Sequence, residues 1–580
     1  MEISSEQEIK STQKIKSKKG GLRTMPFIIA NETFEKVASF GLIANMILYL
    51  MNEYHMDPVA GASLLFLWSA ISHFTPVIGA FLSDSYFGRF RMIAYGTVFS
   101  LLGLTVLWLT AIIPQARPPH CNNPNVEKCK PPTSAQLALL LSSFALMSIG
   151  AGGIRPCSLA FGADQFNEAD NLKKEKILQS FFNWYYVSIG ISIMLSVTVI
   201  VYIQDVAGWV VGFAVPLGLM VFSAITFLLG TCFYIKIKAN KSLFTGFAQV
   251  TLAAWKNKHL HLPPKISDGL YYHKGSNLLV PTDKLRYLNK ACIIRNLVKD
   301  LDSNGMALNP WSLCTTTQVE ELKALLKVLF VWSTGIMVSV TLNQQAFSVL
   351  QASTMDRHVV NKFKIPAASL GVFGILSMAA TVAIYDLVGV PLLSKFTKLK
   401  RGLSLKERMG IGVALTCVAT AMSAVVEGKR RNTAIREGLS DDPHAVVNMS
   451  AMWLVPQYCL HGIAEAFNAI GQIQFYYSQF PKSMSSIAMA LLSLGMGVGN
   501  LFASLIVYIV DDVTKRGGNV SWVSKNLNKG HYDYYYWVLT ILGVVNVFYY
   551  ILCSWAYGSE DDKVEGVKEE DMPKSYNYTP

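Results

Sequence analysis

The chain has 580 residues, 52% of them hydrophobic and only 15% charged, whereas soluble domains carry about 25% charged residues. That balance excludes a string of soluble domains, a disordered chain and a disulfide-stapled mini-domain. The formal net charge of +13 sits in loops between long apolar blocks, so it reads as a topology signal and not as a nucleic-acid footprint.

Apolar blocks of about 20 residues each cross a bilayer as one helix. A polar, basic tail over 1–24 shows no cleavable signal peptide, and six spans follow near 25–50, 60–83, 92–113, 134–160, 180–204 and 208–234. A basic linker occupies 235–320. Six more spans fall near 322–352, 366–390, 408–427, 450–478, 485–510 and 532–556, before a tail over 558–580. The expected fold is an all-α membrane protein with twelve transmembrane helices, six over 25–234 and six over 321–557. Lys and Arg concentrate on the side of both tails and the linker, which places that side in the cytoplasm. In the linker, Leu243, Phe247, Val250, Leu252 and Trp255 recur at helical spacing. This amphipathic helix either lies on the inner membrane face or docks against the bundle.

Span 1 reads Asn31-Glu32-Thr33-Phe34-Glu35-Lys36, and spacings of three and four put Glu32, Glu35 and Lys36 on one helix face. A Lys or Asp at the centre of a membrane helix costs roughly 2.5–3.5 kcal/mol even on the gentlest scale. The cluster is therefore expected to face the protein interior and to exchange protons; the alternative is snorkelling to the inner interface. Between spans 2 and 3 the chain presents Asp84, Gly88 and Arg89, and a weak echo, Asp386 with Lys400-Arg401-Gly402, lies between spans 8 and 9. Such internal repeats mark secondary transporters. Cys121 and Cys129 share the loop after span 3 and form a candidate extracellular disulfide. In span 4, Arg155 follows a run of small residues and precedes Pro156. It stays charged and needs either an anionic ligand or a structural bridge to a carboxylate.

Span 7 offers Thr341, Asn343, Gln344, Gln345 and Ser348. This uncharged stripe either joins helices, at about 0.6 kcal/mol per hydrogen bond, or lines a cavity. In span 10, His461 and Glu465 stand four apart without a second His pair or a Cys cluster, so Glu465 reads as a proton or cation partner and no metal is expected. Asn519 heads an Asn-x-Ser sequence in an outer loop and is the candidate glycosylation site. The chain contains no G-x-x-x-x-G-K-[ST], H-E-x-x-H or G-x-S-x-G segment, which argues against direct ATP drive and against a hydrolase. It is not read as an enzyme, and no cofactor is expected.

Glu32-x-x-Glu35-Lys36 is similar to the E-x-x-E-[R/K] proton-coupling motif of the proton-coupled oligopeptide transporters. From Gly20 to Tyr557 the chain resembles the plant nitrate/peptide branch of that family, within the major facilitator superfamily. Gly79 to Phe90 resembles the loop motif that gates the superfamily's inner face. Arg155 stands where many members carry a substrate-contacting lysine. Phe182-Asn183-Trp184-Tyr185-Tyr186 resembles the span-5 signature, and Pro456-Gln457-Tyr458 through Glu465 resembles the span-10 signature with its gating carboxylate. The resemblance implies the major facilitator fold of two six-helix bundles joined by a long cytoplasmic loop, driven by a proton gradient.

Combined with the residues above, proton coupling is expected of Glu32, Glu35, Lys36 and Glu465, and substrate binding of Arg155, Lys36, Thr341, Asn343 and Gln345. Asp84, Gly88 and Arg89 are expected to form the inner gate. Three departures bear on substrate. Ile189-Gly190-Ile191-Ser192 replaces the usual Ile-Asn-x-Gly, Thr341 stands where some members hold nitrate with a histidine, and Met92 stands where some nitrate carriers have a threonine. Nitrate would then rest on Arg155 and Lys36. The expected activity is symport of nitrate with protons by alternating access. The alternatives are a larger plant anion (a hormone acid or a glucosinolate) or di- and tripeptides on the same machinery, and a nitrate or hormone sensor that transports little. Expected partners are a small anionic solute, protons and the lipid bilayer, with no nucleic acid; the protein is expected as a monomer or weak dimer. The plasma membrane is the preferred location and the vacuolar membrane the alternative.

Overall fold

A computed structural model describes residues 20–119, 130–166, 171–237, 243–262, 271–273, 280–360, 363–397, 399, 402–443, 445–481 and 484–558. Cys121 and Cys129 lie outside the described residues. Spans 1 to 4 are Met25–Asn52, Pro58–Leu82, Arg89–Ile112 and Ser134–Asp164. Span 5, Asn171–Leu195, continues through a π-helical turn, Ser196–Ile200, into the helix Val201–Leu229 that includes span 6.

That run is 53 residues long over Ser180–Cys232, far more than one bilayer crossing needs, and it breaks at Gly208, where φ is +78°. Its two limbs both follow span 1, in opposite senses. Ser196 and Gln204 donate to the carbonyls of Val37 and Gly41 on the way out, and Ser223 donates to that of Asn31 on the way back. A glycine is required at this reversal because a side chain at positive φ is strained.

Span 7, Thr316–Leu342, is interrupted at Asn343 and Gln344 and resumes as Gln345–Ser353. Span 8 is built from Val372–Ile384 and Val390–Thr397 with a π-helical turn between them. Spans 9 to 12 are Leu405–Arg436, Val455–Gln479, Ser485–Lys515 and Tyr532–Tyr557. Ten helical runs among the described residues are long and apolar enough to cross a membrane. The 53-residue run supplies two spans, and span 10 is the twelfth; its polar face lowers its mean hydropathy. Capping boxes start three spans, from Thr133 and Gln136, Thr315 and Gln318, and Ser404 and Glu407; each satisfies two backbone N–H groups that a helix start leaves open.

The structure departs from the expected bounds most at two places and less at others, span 7 starting at Thr316 and span 8 running to Thr397. Span 5 begins at Asn171 and span 9 runs on to Arg436, past the expected end at 427, because Glu427 and Arg430 neutralise each other inside the fold. The two halves repeat one another. Asp84 and Asp386 both sit in π-helical turns, Ser83–Phe87 and Tyr385–Gly389. Spans 2 and 4 touch at Gly79 and Gly152, and spans 8 and 10 at Gly374 and Gly462, so closely that a Cβ on Gly79 or Gly462 would overlap the facing carbonyl oxygen.

One buried apolar cluster crosses both halves at the end opposite the linker, with Leu42, Met46 and Phe66 against Val340, Phe347 and Leu370. At the linker end each half has its own cluster, Ile28, Met92 and Phe161 in the first and Val328, Leu405 and Phe475 in the second. The halves therefore pack together at the far end and part toward the linker. The linker helix Leu243–Lys256 is docked: Val250, Ala253 and Ala254 are buried against Tyr271, Leu288 and Cys292 and against Val319 and Leu322 of span 7.

Candidate functional site

Span 1 directs Glu32, Glu35 and Lys36 into the N-terminal half. Asn31, one residue earlier, donates to Ser223 Oγ at 2.8 Å and so fixes which face of span 1 meets span 6. Glu32 and Glu35 are each only 2% exposed, which excludes snorkelling. Lys36 Nζ lies 3.3 Å from Glu32 Oε1 and 3.4 Å from Glu35 Oε2. From span 4, Arg155 brings Nε to 3.7 Å from Glu35 Oε1, and Ser39 donates its hydroxyl to the same oxygen at 2.7 Å. Glu35 thus sits between two cations on two helices. In a low-dielectric interior this pairing is sensitive to any change in charge nearby. Tyr185, from the span-5 signature, is buried beside Glu32. Glu35, Ser39, Trp68, Ser72, Ser100 and Arg155 line a cavity of about 420 Å³ within this half.

The second half forms its own polar chamber. Thr341, Gln345 and Glu465 line a cavity of about 590 Å³ together with Ser348, Gln457 and His461. Glu465 is also a wall of a neighbouring cavity of about 350 Å³, with Asn468 and Gln472. Asn343 is not among the lining residues; its amide donates to Ser339 O at 2.7 Å and caps span 7 where the helix breaks. The predicted site residues therefore gather in two places, one around Glu35 and Arg155 and one around Glu465. Among the described residues no group of three or more His, Cys, Asp or Glu is placed to hold a metal ion.

At the linker end, Arg89 meets Asp84 at 3.7 Å and Asp164, the last residue of span 4, at 2.6 Å. Gly88 adopts φ +78° between them and returns its N–H to Ser83 O. Asp164 was not identified from the sequence, since it lies outside the loop motif and at a span end, where an acidic residue is unremarked. His73 was also missed. It stands on span 2 within electrostatic reach of Arg155 and Lys36, its Nδ1 is 2.7 Å from Ser69 O, and its carbonyl accepts Ser493 Oγ of span 11 at 2.9 Å. Its signal was available, as a lone histidine within an apolar span. Asn519 is exposed in the loop before span 12, its side-chain amide donating to Arg516 O.

The sequence profile of the POT family (PTR2) matches residues 90–523. Two Arabidopsis thaliana proteins, Protein NRT1/PTR FAMILY 1.1 and 1.2, are 53% and 52% identical to this chain. They cover 95% and 97% of it, over 95% and 94% of their own lengths. Among solved structures, that of an auto-inhibited POT family peptide transporter superposes with a TM-score of 0.69 at 19% identity, over 93% of this chain and 98% of that one.

Proposed function

This chain belongs to the POT family of multi-pass membrane transporters, and on that footing we propose that it carries nitrate across the membrane together with protons. Glu35 supports the reading: a carboxylate buried in the N-terminal half and shared by Lys36 and Arg155. An anion arriving at Arg155 withdraws one of the cations that hold Glu35 ionised, so the anion and a proton enter as a pair. With both charges neutralised the halves are free to rock, and loss of the proton on the less acidic side restores the ion pair and releases the anion. Transport needs a shift between two packed states, and proton and anion supply the differential interaction that biases it.

One proton per nitrate moves no net charge. A second adds about 2.3 kcal/mol per 100 mV of membrane potential and about 1.4 kcal/mol per unit of pH difference. Glu32, Glu35 and Glu465 are enough carboxylates for two. In oocytes, nitrate is expected to evoke an inward, depolarising current at pH 5.5 that fades by pH 7.4. Arg155→Ala should abolish uptake at normal surface expression. An outward or pH-independent current would overturn the reading. The second chamber, where Thr341, Gln345, Ser348 and Gln457 surround the single carboxylate of Glu465, favours a larger, hydrogen-bonding solute as the second reading, and uptake of hormone acids and di- or tripeptides in the same cells tests it.

A further inference from the structure

The cavity beside Arg155 is walled by spans 1, 2, 3, 4 and 6 alone. Two of its hydroxyls are already committed, Ser39 to Glu35 at 2.7 Å and Ser72 to Ser148 at 2.8 Å. Trp68 is not. Its ring lies flat on Phe144, with centroids 4.3 Å apart and planes 9° apart, and the residue is 6% exposed. Yet the buried indole Nε1 has no hydrogen-bond partner among the described residues. Such an unsatisfied donor costs about 1–3 kcal/mol. The clamp of Phe144 keeps the ring from turning to find a partner elsewhere.

An indole N–H can only donate, so the missing partner is an acceptor. Arg155 Nε, lining the same cavity, also lacks a hydrogen bond, being 3.7 Å from Glu35. Two buried, unpaired N–H donors on residues that line one pocket suit a ligand with more than one accepting oxygen.

We propose that Trp68 donates its indole N–H to the anion that Arg155 holds, which makes the pocket inside the N-terminal half a two-donor oxyanion site. The assignment rests on the anion reading of Arg155. Nitrate, with three oxygens, can face both donors at once. The ring of Trp68 is a fixed wall, and its N–H sets where the anion sits relative to Glu35.

The test is nitrate binding to the purified full-length protein at pH 5.5, read as the shift in thermal unfolding with sodium nitrate exchanged for sodium chloride at constant ionic strength. Trp68→Phe keeps an aromatic ring on Phe144 and removes the N–H. It is expected to weaken apparent nitrate affinity at least tenfold, with the unfolding midpoint in chloride unchanged. Phe144→Leu loosens the ring but keeps the donor and should leave affinity within threefold. Where the phenylalanine variant does not fold, benzothienylalanine at position 68, with sulfur in place of the N–H, gives the same reading. Wild-type affinity in Trp68→Phe, or an equal loss in Phe144→Leu, overturns the role of Trp68 alone. If Arg155→Ala retains wild-type affinity while Trp68→Phe loses it, the anion reading of Arg155 fails and the indole donor stands. No nitrate-dependent shift in the wild-type protein overturns both.

Discussion

Arg430 and Glu427 show how much a single pair of side chains can decide. Both are fully buried, and the guanidinium donates to both carboxylate oxygens, at 2.8 and 2.7 Å, and to Asn528 Oδ1 at 2.7 Å. Gln351 completes the carboxylate at 2.8 Å and in turn accepts from Tyr536. Every charge here is answered, so the network ties spans 7, 9 and 12 to the loop before span 12. Glu427→Gln leaves the arginine buried without its counter-charge, a change worth about 3–5 kcal/mol, and the unfolding midpoint of the purified protein should fall by several degrees. Glu427→Met with Arg430→Met should recover part of that loss. This pair was not legible in the sequence, because Glu-x-x-Arg beyond an apolar block reads as a solvated helix end. Glu32, Glu35, Lys36 and Arg155 were legible for the opposite reason: each interrupts an apolar block, where an unpaired charge is too costly to stand without a partner.

At the level of helices, composition alone located the spans but not their ends. Hydropathy averages over a window, so the helical residues Asn171 to Gln179 and Gly428 to Arg436 fell outside the predicted spans 5 and 9. The break after Leu342 is likewise invisible to an average; it depends on Asn343 bonding back to Ser339 and on Tyr535 donating to Gln344 Oε1 at 2.9 Å. What the residues did reveal was the repeat, since Asp84 and Asp386 prove to occupy equivalent π-helical turns. The two glycine contacts follow the same symmetry and set how near span 2 comes to span 4 and span 8 to span 10. Gly79→Ala must push span 2 off the carbonyl of Gly152, an overpacking change of about 1–3 kcal/mol. The expected outcome is a lower unfolding midpoint with reduced transport. Gly218→Ala, where a Cβ meets nothing, is the control and should be neutral.

For the whole molecule, the distribution of apolar clusters defines the conformation. Phe66 and Phe347 meet edge to face at 6.4 Å across the halves at the far end, within the cluster that joins them, whereas the clusters at the linker end remain separate. The alternating access proposed above requires the far cluster to part from this state and the linker ends to approach, exchanging one buried apolar surface for another at about 25 cal/mol per Å². Tyr477, near the linker-side end of span 10, is half-exposed and within electrostatic reach of Tyr186 of span 5 in the other half. A cysteine at 477, in a Cys232→Ser background that removes the exposed thiol among the described residues, should react quickly with a maleimide supplied from the linker side. If the proposed symport holds, nitrate at acid pH drives the cycle and should slow that reaction several-fold. Phe347→Ala should slow it even without nitrate, because weakening the far cluster shifts the population toward the opposite state. Equal labelling rates in all three conditions would mean that the far cluster is not the element that holds the conformation.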